Sequence, residues 1–218
     1  MNLLNKKRYQ KIIALLVFVS FIYINIAGTQ KTTKMSQSKN LQTATFGGGC
    51  FWCTEAIFQE LEGVVSVEAG YAGGRVKSPT YEDVCTGSTG HAEVIQIKYD
   101  PSKVAYELLL DVFFNTHNPT TLNRQGADRG TQYRSVIFYH TPIQKTKAEQ
   151  IINELTEAQV FDAPIVTEVV PITNYYKAEN YHQNYYENNP SNAYCNVVIN
   201  PKLTKFMKKY KDKLKKKK

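Results

Sequence analysis

The chain has 218 residues, of which 42% are hydrophobic and 21% charged, and these values fit one globular domain with a sizeable core. The formal net charge is +8, but residues 41–201 hold 10 basic and 18 acidic residues, so the positive charge belongs to the two ends. An acidic body argues against a nucleic-acid-binding protein, because phosphate backbones attract positively charged surfaces.

The first 28 residues have the pattern of an export signal. Several basic residues between positions 6 and 11 precede an uncharged, mostly apolar run from Ile12 to Gly28. A basic region followed by such a run is typical of a signal peptide or of a short membrane-anchoring helix. We therefore expect residues 1–28 to be a signal peptide or an anchor acting through residues 12–28, and residues 29–42 to be a polar linker. The protein is then exported, to the periplasm or the cell envelope.

The body of the chain alternates between predicted strands and helices. The predicted strands cover residues 43–46, 64–71, 91–99, 132–140 and 165–172, and the predicted helices cover residues 51–61, 100–115 and 142–158. Loops are expected over residues 75–90 and 117–131, and a tyrosine-rich coil over residues 174–191. At least one pair of strands is joined without a helix, which favours an α/β or α+β sandwich. Residues 202–218 are expected to form a basic helix and a solvated tail.

The most distinctive stretch is FGGGCFWC, in which three glycines precede Cys50 at the start of a predicted helix. The unpaired N–H groups at a helix N-terminus favour an anion, so we expect the pKa of the Cys50 thiol to be lowered. A thiolate is the nucleophilic form of cysteine. Cys53 lies one helical turn further on, at a spacing that permits a disulfide with Cys50. The stretch therefore predicts a redox-active cysteine.

Two other interpretations of the cysteine pair stay open at this point. Cysteines are often small buried hydrophobic residues without a chemical role. A Cys-x-x-Cys pair can also be half of a zinc site, which Cys195 and His182 would complete.

A second candidate is the carboxyl group of Glu93 in the predicted strand HAEVIQIKYD. Alternation places Glu93 on the face that later carries Ile95, Ile97 and Tyr99. A carboxyl group on an apolar face loses hydration and keeps its proton, so it can act as an acid near neutral pH. The alternative is that Glu93 lies at the wet end of the strand and points into water.

Several motifs together resemble those of A-type peptide methionine sulfoxide reductases. In chain order they are GCFW with Glu55, GYAGG from Gly70, PTYEDVCTGSTGHAE from Pro79 and GTQYRS from Gly130. The resemblance runs over residues 45–201 and marks residues 43–201 as the reductase domain. We expect an α+β fold, a two-layer α/β sandwich with a ferredoxin-like core, a mixed sheet and a long C-terminal coil. The implied enzyme is a peptide-methionine (S)-S-oxide reductase, which reduces the S epimer of methionine sulfoxide, protein-bound or free.

The resemblance also implies a role for each site residue. Cys50 is the nucleophile that attacks the sulfoxide sulfur and becomes a sulfenic acid, and Glu93 protonates the leaving oxygen. Tyr81 and Tyr133 are two hydroxyl donors to that oxygen. Phe51 and Trp52 form an apolar wall for the S-methyl group, and Asp128 is an acid that helps to bind the substrate.

A second thiol must then condense with the sulfenic acid to form an intramolecular disulfide. Many relatives have glycine at the position of Cys53 and a flexible, glycine-rich segment around a C-terminal cysteine, whereas Cys195 is followed here by Asn-Val-Val-Ile. Cys53 is close in sequence, and Cys195 must be brought across by the coil over residues 174–194. We therefore expect Cys53 to resolve the sulfenic acid first and Cys195 to be a second relay. Cys85 is expected to be a spectator.

The resemblance implies no metal and no organic cofactor, and it implies a thioredoxin-like reductant. The expected partners are oxidised proteins or peptides, and we expect a monomer. One rival function is an exported thioredoxin-like disulfide oxidoreductase that uses Cys50 and Cys53. The other is an exported binding module built on the tyrosine-rich segment. We expect His182, which lies in this segment, to be part of a coil that packs on the body rather than to act as a base.

Overall fold

The structure is a computed structural model that describes residues 40–216. The predicted signal or anchor and most of the predicted linker therefore lie outside the described residues. Within residues 40–216, no helix is both long enough and apolar enough to cross a membrane.

The described chain contains eight strands and six α-helices, with shorter helical turns between them. The strands are β1 (Gln42–Gly48), β2 (Val64–Ala72), β3 (Ala92–Tyr99), β4 (Arg124–Gln125), β5 (Asp128–Arg129), β6 (Ser135–Tyr139), β7 (Glu168–Pro171) and β8 (Tyr175–Lys177). The helices are α1 (Phe51–Gln59), α2 (Tyr81–Cys85), α3 (Tyr106–Thr116), α4 (Pro142–Glu157), α5 (Tyr185–Asn188) and α6 (Asn200–Lys209). Residues 131–133, 180–182 and 211–213 form 3-10 turns, and residues 195–199 form a π-helical turn.

Six strands form one mixed sheet in the order β7-β6-β1-β3-β2-β8, and β4 and β5 form a small separate hairpin. The four central strands pair antiparallel, and β7 is parallel to β6. The chain order β1-α1-β2-β3-α3-β6 with the spatial order β6-β1-β3-β2 is that of a ferredoxin-like core. The predicted two-layer α+β sandwich with a mixed sheet is confirmed.

The two faces of β3 pack into different clusters. Ile95 and Ile97 lie in the main core, which also holds the apolar side chains of α1 and α3. Ala92 and Val94 face a smaller cluster on the other side of the sheet. The alternation predicted for this strand is confirmed, and it places Glu93 on the side of α1.

Three predicted boundaries differ from the structure for local reasons. The helix expected to begin at Asp100 begins at Tyr106, because the Asp100 carboxylate accepts hydrogen bonds from the backbone and hydroxyl of Ser102 and stabilises a turn. The loop expected over residues 75–90 contains α2, which begins with a capping box between Thr80 and Asp83. The strand expected from residue 132 begins at residue 135, after a 3-10 turn.

Residues 178–199, called here the C-terminal arm, cross α1 and lead into α6. Helix α6 is amphipathic: Leu203 and Phe206 are buried, and Tyr210 is buried just after the helix. The backbone of Lys215 then donates to the carbonyl oxygen of Glu60. A basic helix forms as expected and packs on the core through apolar residues at helical spacing, while Lys211–Lys213, Lys215 and Lys216 are exposed.

Candidate active site

Cys50 is the N-cap residue of α1 and follows directly on the end of β1. Gly47 and Gly48 belong to the strand, and Gly49 makes the turn with a φ of +91°. A Cβ at Gly49 would lie 2.6 Å from side-chain atoms of Gln125, so a larger residue would be strained and would clash. The predicted tight approach to the helix is confirmed, although only the third glycine provides the turn.

The carboxyl group of Glu93, which lies on β3, is placed at the N-terminal end of α1. Its Oε2 accepts a hydrogen bond of 3.1 Å from the backbone N–H of Phe51, and its side chain is 1% exposed. Burial raises the pKa of Glu93 to about 8 because it outweighs this hydrogen bond, and the charge of Asp128 adds to the rise. The buried alternative for Glu93 is therefore correct, and the carboxyl group keeps its proton at neutral pH.

The two neighbouring thiols titrate in the reverse of the expected order. Burial raises the pKa of Cys50, and its contacts with Cys53 and with the charge of Glu93 raise it further. The hydrogen bond from Cys50 lowers the pKa of Cys53 to about 7. The expectation of a low pKa for Cys50 is wrong, because the thiol is buried and burial penalises its charged form. Cys53 has the lower pKa of the two thiols.

Two tyrosine hydroxyls and a second acid share this pocket. Burial raises the pKa of Tyr133, and the charges of Glu93 and Cys50 contribute to the rise. Burial likewise raises the pKa of Tyr81, with contributions from its Cys85 hydrogen bond and from Glu93. Both hydroxyls therefore keep their protons and remain donors. Asp128 lies beside them on β5 and acts electrostatically on Glu93 and on Tyr133.

The aromatic wall predicted at Phe51 and Trp52 is backed by the C-terminal arm. The Trp52 indole N–H donates to Nδ1 of His182 over 3.1 Å, and the indole stacks on Tyr185 with ring centroids 3.6 Å apart. The Phe51 ring contacts that of His182 at 5.0 Å. His182 is buried in a 3-10 turn and its pKa is lowered by burial, so it is a neutral packing residue, as expected.

The other two cysteines occupy different environments. Cys195 is buried in the π-helical turn, and the charge of Cys53 contributes to raising its pKa after burial. The arm therefore holds Cys195 within electrostatic range of Cys53. Cys85 is exposed and its thiol bonds to the Tyr81 hydroxyl. All four cysteines are free thiols.

Three further residues of the site were not predicted from the sequence. The Tyr194 hydroxyl donates to Asp128 Oδ2 over 2.9 Å and lies 3.8 Å from the Cys53 sulfur. Glu179 accepts from the Tyr71 hydroxyl and from the backbone N–H of Tyr81. Glu55 accepts from backbone N–H groups of the arm. The one signal for Tyr194 was its position next to Cys195.

The cysteine pair has no metal-binding geometry. Over residues 40–216, no group of three His, Cys, Asp or Glu side chains is arranged to hold a metal ion. His182, which the zinc alternative required, uses Nδ1 to accept the Trp52 hydrogen bond. What the pocket brings together is a thiol pair, a protonated carboxyl group and two hydroxyl donors, a set that can protonate an oxygen while sulfur attacks its neighbouring atom.

Comparisons with known proteins agree with this chemistry. Residues 42–215 match the family model for peptide methionine sulfoxide reductase. The peptide methionine sulfoxide reductase MsrA of Acidobacterium capsulatum is 57% identical over 140 residues, which are 64% of this chain and 90% of that protein. The MsrA of Sulfolobus acidocaldarius is 56% identical over 142 residues, which are 65% of this chain and 80% of that protein.

Two solved structures have the same fold. The reduced form of Mxr1 from Saccharomyces cerevisiae matches with a TM-score of 0.67 and 37% identity, over 71% of this chain and 89% of that one. The methionine sulfoxide reductase A of Corynebacterium diphtheriae matches with a TM-score of 0.64 and 37% identity, over 72% of this chain and 78% of that one.

Proposed function

The chain belongs to the A-type peptide methionine sulfoxide reductase family and is an oxidoreductase that reduces methionine sulfoxide, and on that premise we propose that Cys50 is its nucleophile and Glu93 its acid. The substrate is the S epimer of methionine sulfoxide, in proteins and as the free amino acid. Family membership decides against the disulfide oxidoreductase and the binding module as rival functions.

The first step transfers the sulfoxide oxygen to Cys50. The Cys50 sulfur attacks the sulfoxide sulfur, and charge builds up on the oxygen as its bond to sulfur weakens. Glu93 protonates that oxygen, and Tyr81 and Tyr133 stabilise it with hydrogen bonds, each such donor contributing about 3 kcal/mol by analogy with oxyanion holes. The oxygen then passes as a hydroxyl group to the Cys50 sulfur while its bond to the methionine sulfur and the temporary bond between the two sulfur atoms break. Methionine leaves as the reduced sulfide, Cys50 is oxidised by two electrons to a sulfenic acid, and the thiol proton of Cys50 replaces the one that Glu93 gave.

Substrate binding uses the remaining predicted residues. Phe51 and Trp52 hold the S-methyl group against aromatic faces, a contact that suits a soft, polarisable group. Asp128 helps to bind the substrate from the other side of the pocket, where Tyr194 donates to its carboxylate. No step in this scheme needs a metal or an organic cofactor.

The second step makes a disulfide and the third resets the enzyme. Cys53 condenses with the Cys50 sulfenic acid, and Cys195 then exchanges into the disulfide as a relay. An external dithiol of the thioredoxin type returns the enzyme to its reduced state. Support comes from the contact between Cys50 and Cys53 and from the position of Cys195 within electrostatic range of Cys53.

The observation that carries the proposal is a carboxyl group with a pKa of about 8 at the N-terminus of the helix that Cys50 caps. A protonated carboxyl group beside a thiol is costly to maintain without a use, because both groups are buried. Acid-assisted attack on a polar S=O bond uses both groups.

A single-turnover experiment without added reductant tests the proposal. Reduced protein is mixed with the S or the R epimer of methionine sulfoxide, methionine is quantified, and the disulfide is mapped by mass spectrometry. About one methionine or more per enzyme is expected from the S epimer alone, with a bridge between Cys50 and Cys53. The matched control is Cys85→Ser, which should behave as wild type. Methionine formation by Cys50→Ser would overturn the assignment of the nucleophile.

We also propose that the protein works outside the cytoplasm, from the basic and apolar pattern of its first 28 residues. Cell fractionation followed by sequencing of the mature N-terminus distinguishes a cleaved signal from a retained anchor. Recovery of the intact chain in the cytoplasmic fraction would contradict export.

A further inference from the structure

Lys202 lies next to Cys53, although the two residues are far apart in the chain. The Lys202 ammonium nitrogen is 4.0 Å from the Cys53 sulfur and comes from the first turn of α6. The Lys202 side chain is half-buried, and it also lines an open cavity of about 360 Å³ between the end of α3 and α6. The ammonium group therefore contacts a buried thiol on one side while the cavity connects it to solvent.

We propose that Lys202 is a positioning residue for disulfide formation: its ammonium group holds Cys53 as a thiolate, so that Cys53 captures the Cys50 sulfenic acid before Cys195 does. This inference rests on the proposed function, because it concerns the step that follows sulfoxide reduction.

The groups that act on the Cys53 thiol come from five parts of the fold. They are Cys50 at the start of α1, Glu93 on β3, Asp128 on β5, and Tyr194, Cys195 and Lys202 from the arm and α6. Asp128 raises the pKa of Cys53, while Cys50, Lys202 and Tyr194 lower it.

The contribution of Lys202 matters most after the first step. In the reduced protein, the Cys50 thiol hydrogen bond is the largest cause of the lowered Cys53 pKa. Oxidation of Cys50 consumes that thiol. The Lys202 ammonium group and the Tyr194 hydroxyl then remain to favour the Cys53 thiolate at the moment when it is needed.

The atoms and electrons of disulfide formation balance with groups that the site and the solvent supply. The Cys53 thiolate attacks the Cys50 sulfur, an S–S bond forms and the S–O bond breaks. Oxygen leaves as hydroxide and becomes water with a proton from solvent or from Glu93. Cys50 is reduced from the sulfenic to the disulfide level while Cys53 is oxidised to it, so no further oxidant is required.

Cys195 is the slower competitor for two reasons. Burial raises its pKa, so it holds less thiolate at neutral pH. Its electrostatic partner is Cys53 rather than Cys50. The same Lys202 charge also makes Cys53 the better leaving group when a dithiol attacks the Cys50 sulfur of the disulfide, because a thiol of lower pKa leaves faster.

The test measures sulfoxide reduction and disulfide formation separately in Lys202→Gln. Lys205→Gln is the control, because it removes the same charge one helical turn away. Methionine formation reports the first step, and disappearance of a dimedone-trappable sulfenic acid at Cys50 reports the second, each followed by rapid quench from pH 6 to pH 9. Lys202→Gln should keep the first step. If the Cys53 pKa rises by one unit, the second step slows about threefold at pH 6, because thiolate falls about tenfold while its nucleophilicity rises about threefold.

The pH profile decides between a positioning and a structural role. The midpoint of the second step should move to higher pH in Lys202→Gln, return toward that of wild type in Lys202→Arg, and stay unchanged in Lys205→Gln. Equal profiles in all variants, or equal slowing of both steps in Lys202→Gln, would overturn the inference. So would wild-type methionine formation with a bridge from Cys50 to Cys195 and none to Cys53, which contradicts the proposed resolving step but leaves Cys50 as the nucleophile and Glu93 as the acid. If wild type formed no methionine, both the inference about Lys202 and the proposed function would be contradicted.

Discussion

The pocket around Cys50 has two walls of different construction. The core wall consists of the β1–α1 turn and β3, which carry Cys50, Phe51 and Glu93 on regular elements. The arm wall is the C-terminal arm, which presents His182, Tyr185 and Tyr194 from 3-10, short α-helical and π-helical turns of three to five residues. The sheet register sets the positions of the residues in the core wall. Hydrogen bonds between side chains and backbone groups distant in sequence set the positions of the residues in the arm wall.

The two walls have different roles: the core wall carries the reacting groups, and the arm wall packs against them. The core wall holds the nucleophile and the acid, and Glu93 lies opposite Tyr71 in the register between β2 and β3. The arm wall is attached by polar contacts: the amide of Gln183 bonds both the N–H and the carbonyl of Ala69, and Glu55 accepts from the backbone of Asn184. Loss of a group from the core wall should therefore remove activity, whereas loss of an anchor from the arm should lower stability.

The largest effect is expected from Glu93→Gln in the core wall. Glutamine fills the same space but supplies no acidic proton, and loss of a general acid costs about 10²- to 10⁴-fold in rate. The first-step rate of wild type should rise with pH as the Cys50 thiolate fraction grows and level off above about pH 8, where loss of the protonated Glu93 offsets that gain. Glu93→Gln should keep rising above pH 8. Single-turnover methionine formation from pH 5 to pH 9 measures both effects.

The same substitution should not cost stability. The pKa of Glu93 is raised from 4.5 to about 8 by folding, so its contribution is complete below pH 4.5 and is lost as pH rises to about 8. Relative to wild type, Glu93→Gln should therefore gain stability between pH 4.5 and pH 9. Glu55→Gln, at an equally buried carboxyl group, is the control and should level off above pH 8 as wild type does. Full activity in Glu93→Gln would place the acid elsewhere.

A smaller effect is expected from the two candidate resolving cysteines, one on each wall. Cys53→Ser should keep the first step and lengthen the lifetime of the Cys50 sulfenic acid by more than about tenfold, because the remaining thiol holds little thiolate. Cys195→Ser should form the bridge between Cys50 and Cys53 at the wild-type rate. Mass spectrometry of quenched samples identifies each species. Rapid bridging in Cys53→Ser, with loss of bridging in Cys195→Ser, would move the resolving step to the arm wall.

The two walls also differ in how far the sequence predicts them. The central strands, α1, α4 and the face of Glu93 follow from apolar periodicity, which regular elements retain locally, whereas the ferredoxin-like core was expected from the family resemblance. Helix α2 was missed although the Thr80 capping box is present in the sequence. The pKa shifts of Cys50 and Cys53 were not predictable, because they depend mainly on the burial of Cys50 and on the hydrogen bond between the two thiols.

The arm wall escaped prediction for a physical reason. Its residues carry no apolar periodicity, and the hydrogen bonds that fix them join distant positions. Gln183 and Ala69 are 114 residues apart, and Tyr194 and Asp128 are 66 residues apart. A tyrosine-rich coil in the sequence shows that aromatic rings will pack somewhere. It does not show that His182 accepts from Trp52, or that Tyr194 lies beside Cys53.

The smallest effect is expected at the anchor of the arm, in Gln183→Glu. The Gln183 amide nitrogen donates to the carbonyl oxygens of Ala69 and Ala178, and its oxygen accepts from the N–H of Ala69. A carboxylate of the same shape keeps the acceptor but turns both donor contacts into repulsion between oxygens. The expected loss is about 1–3 kcal/mol, or several degrees in Tm.

The pH dependence of Gln183→Glu sharpens the contrast between the walls. Facing two carbonyl oxygens, the new carboxyl group should have a raised pKa, so it can donate one hydrogen bond when protonated. Its stability relative to wild type should be higher at pH 5 than at pH 8, since a raised carboxyl pKa loses its contribution as pH rises. Thermal unfolding followed by circular dichroism at both pH values measures this, with the exposed Gln150→Glu as the control. An unchanged Tm at pH 8 would mean that the arm is held by its aromatic contacts with Trp52, and the arm wall would then depend on the core wall for its position.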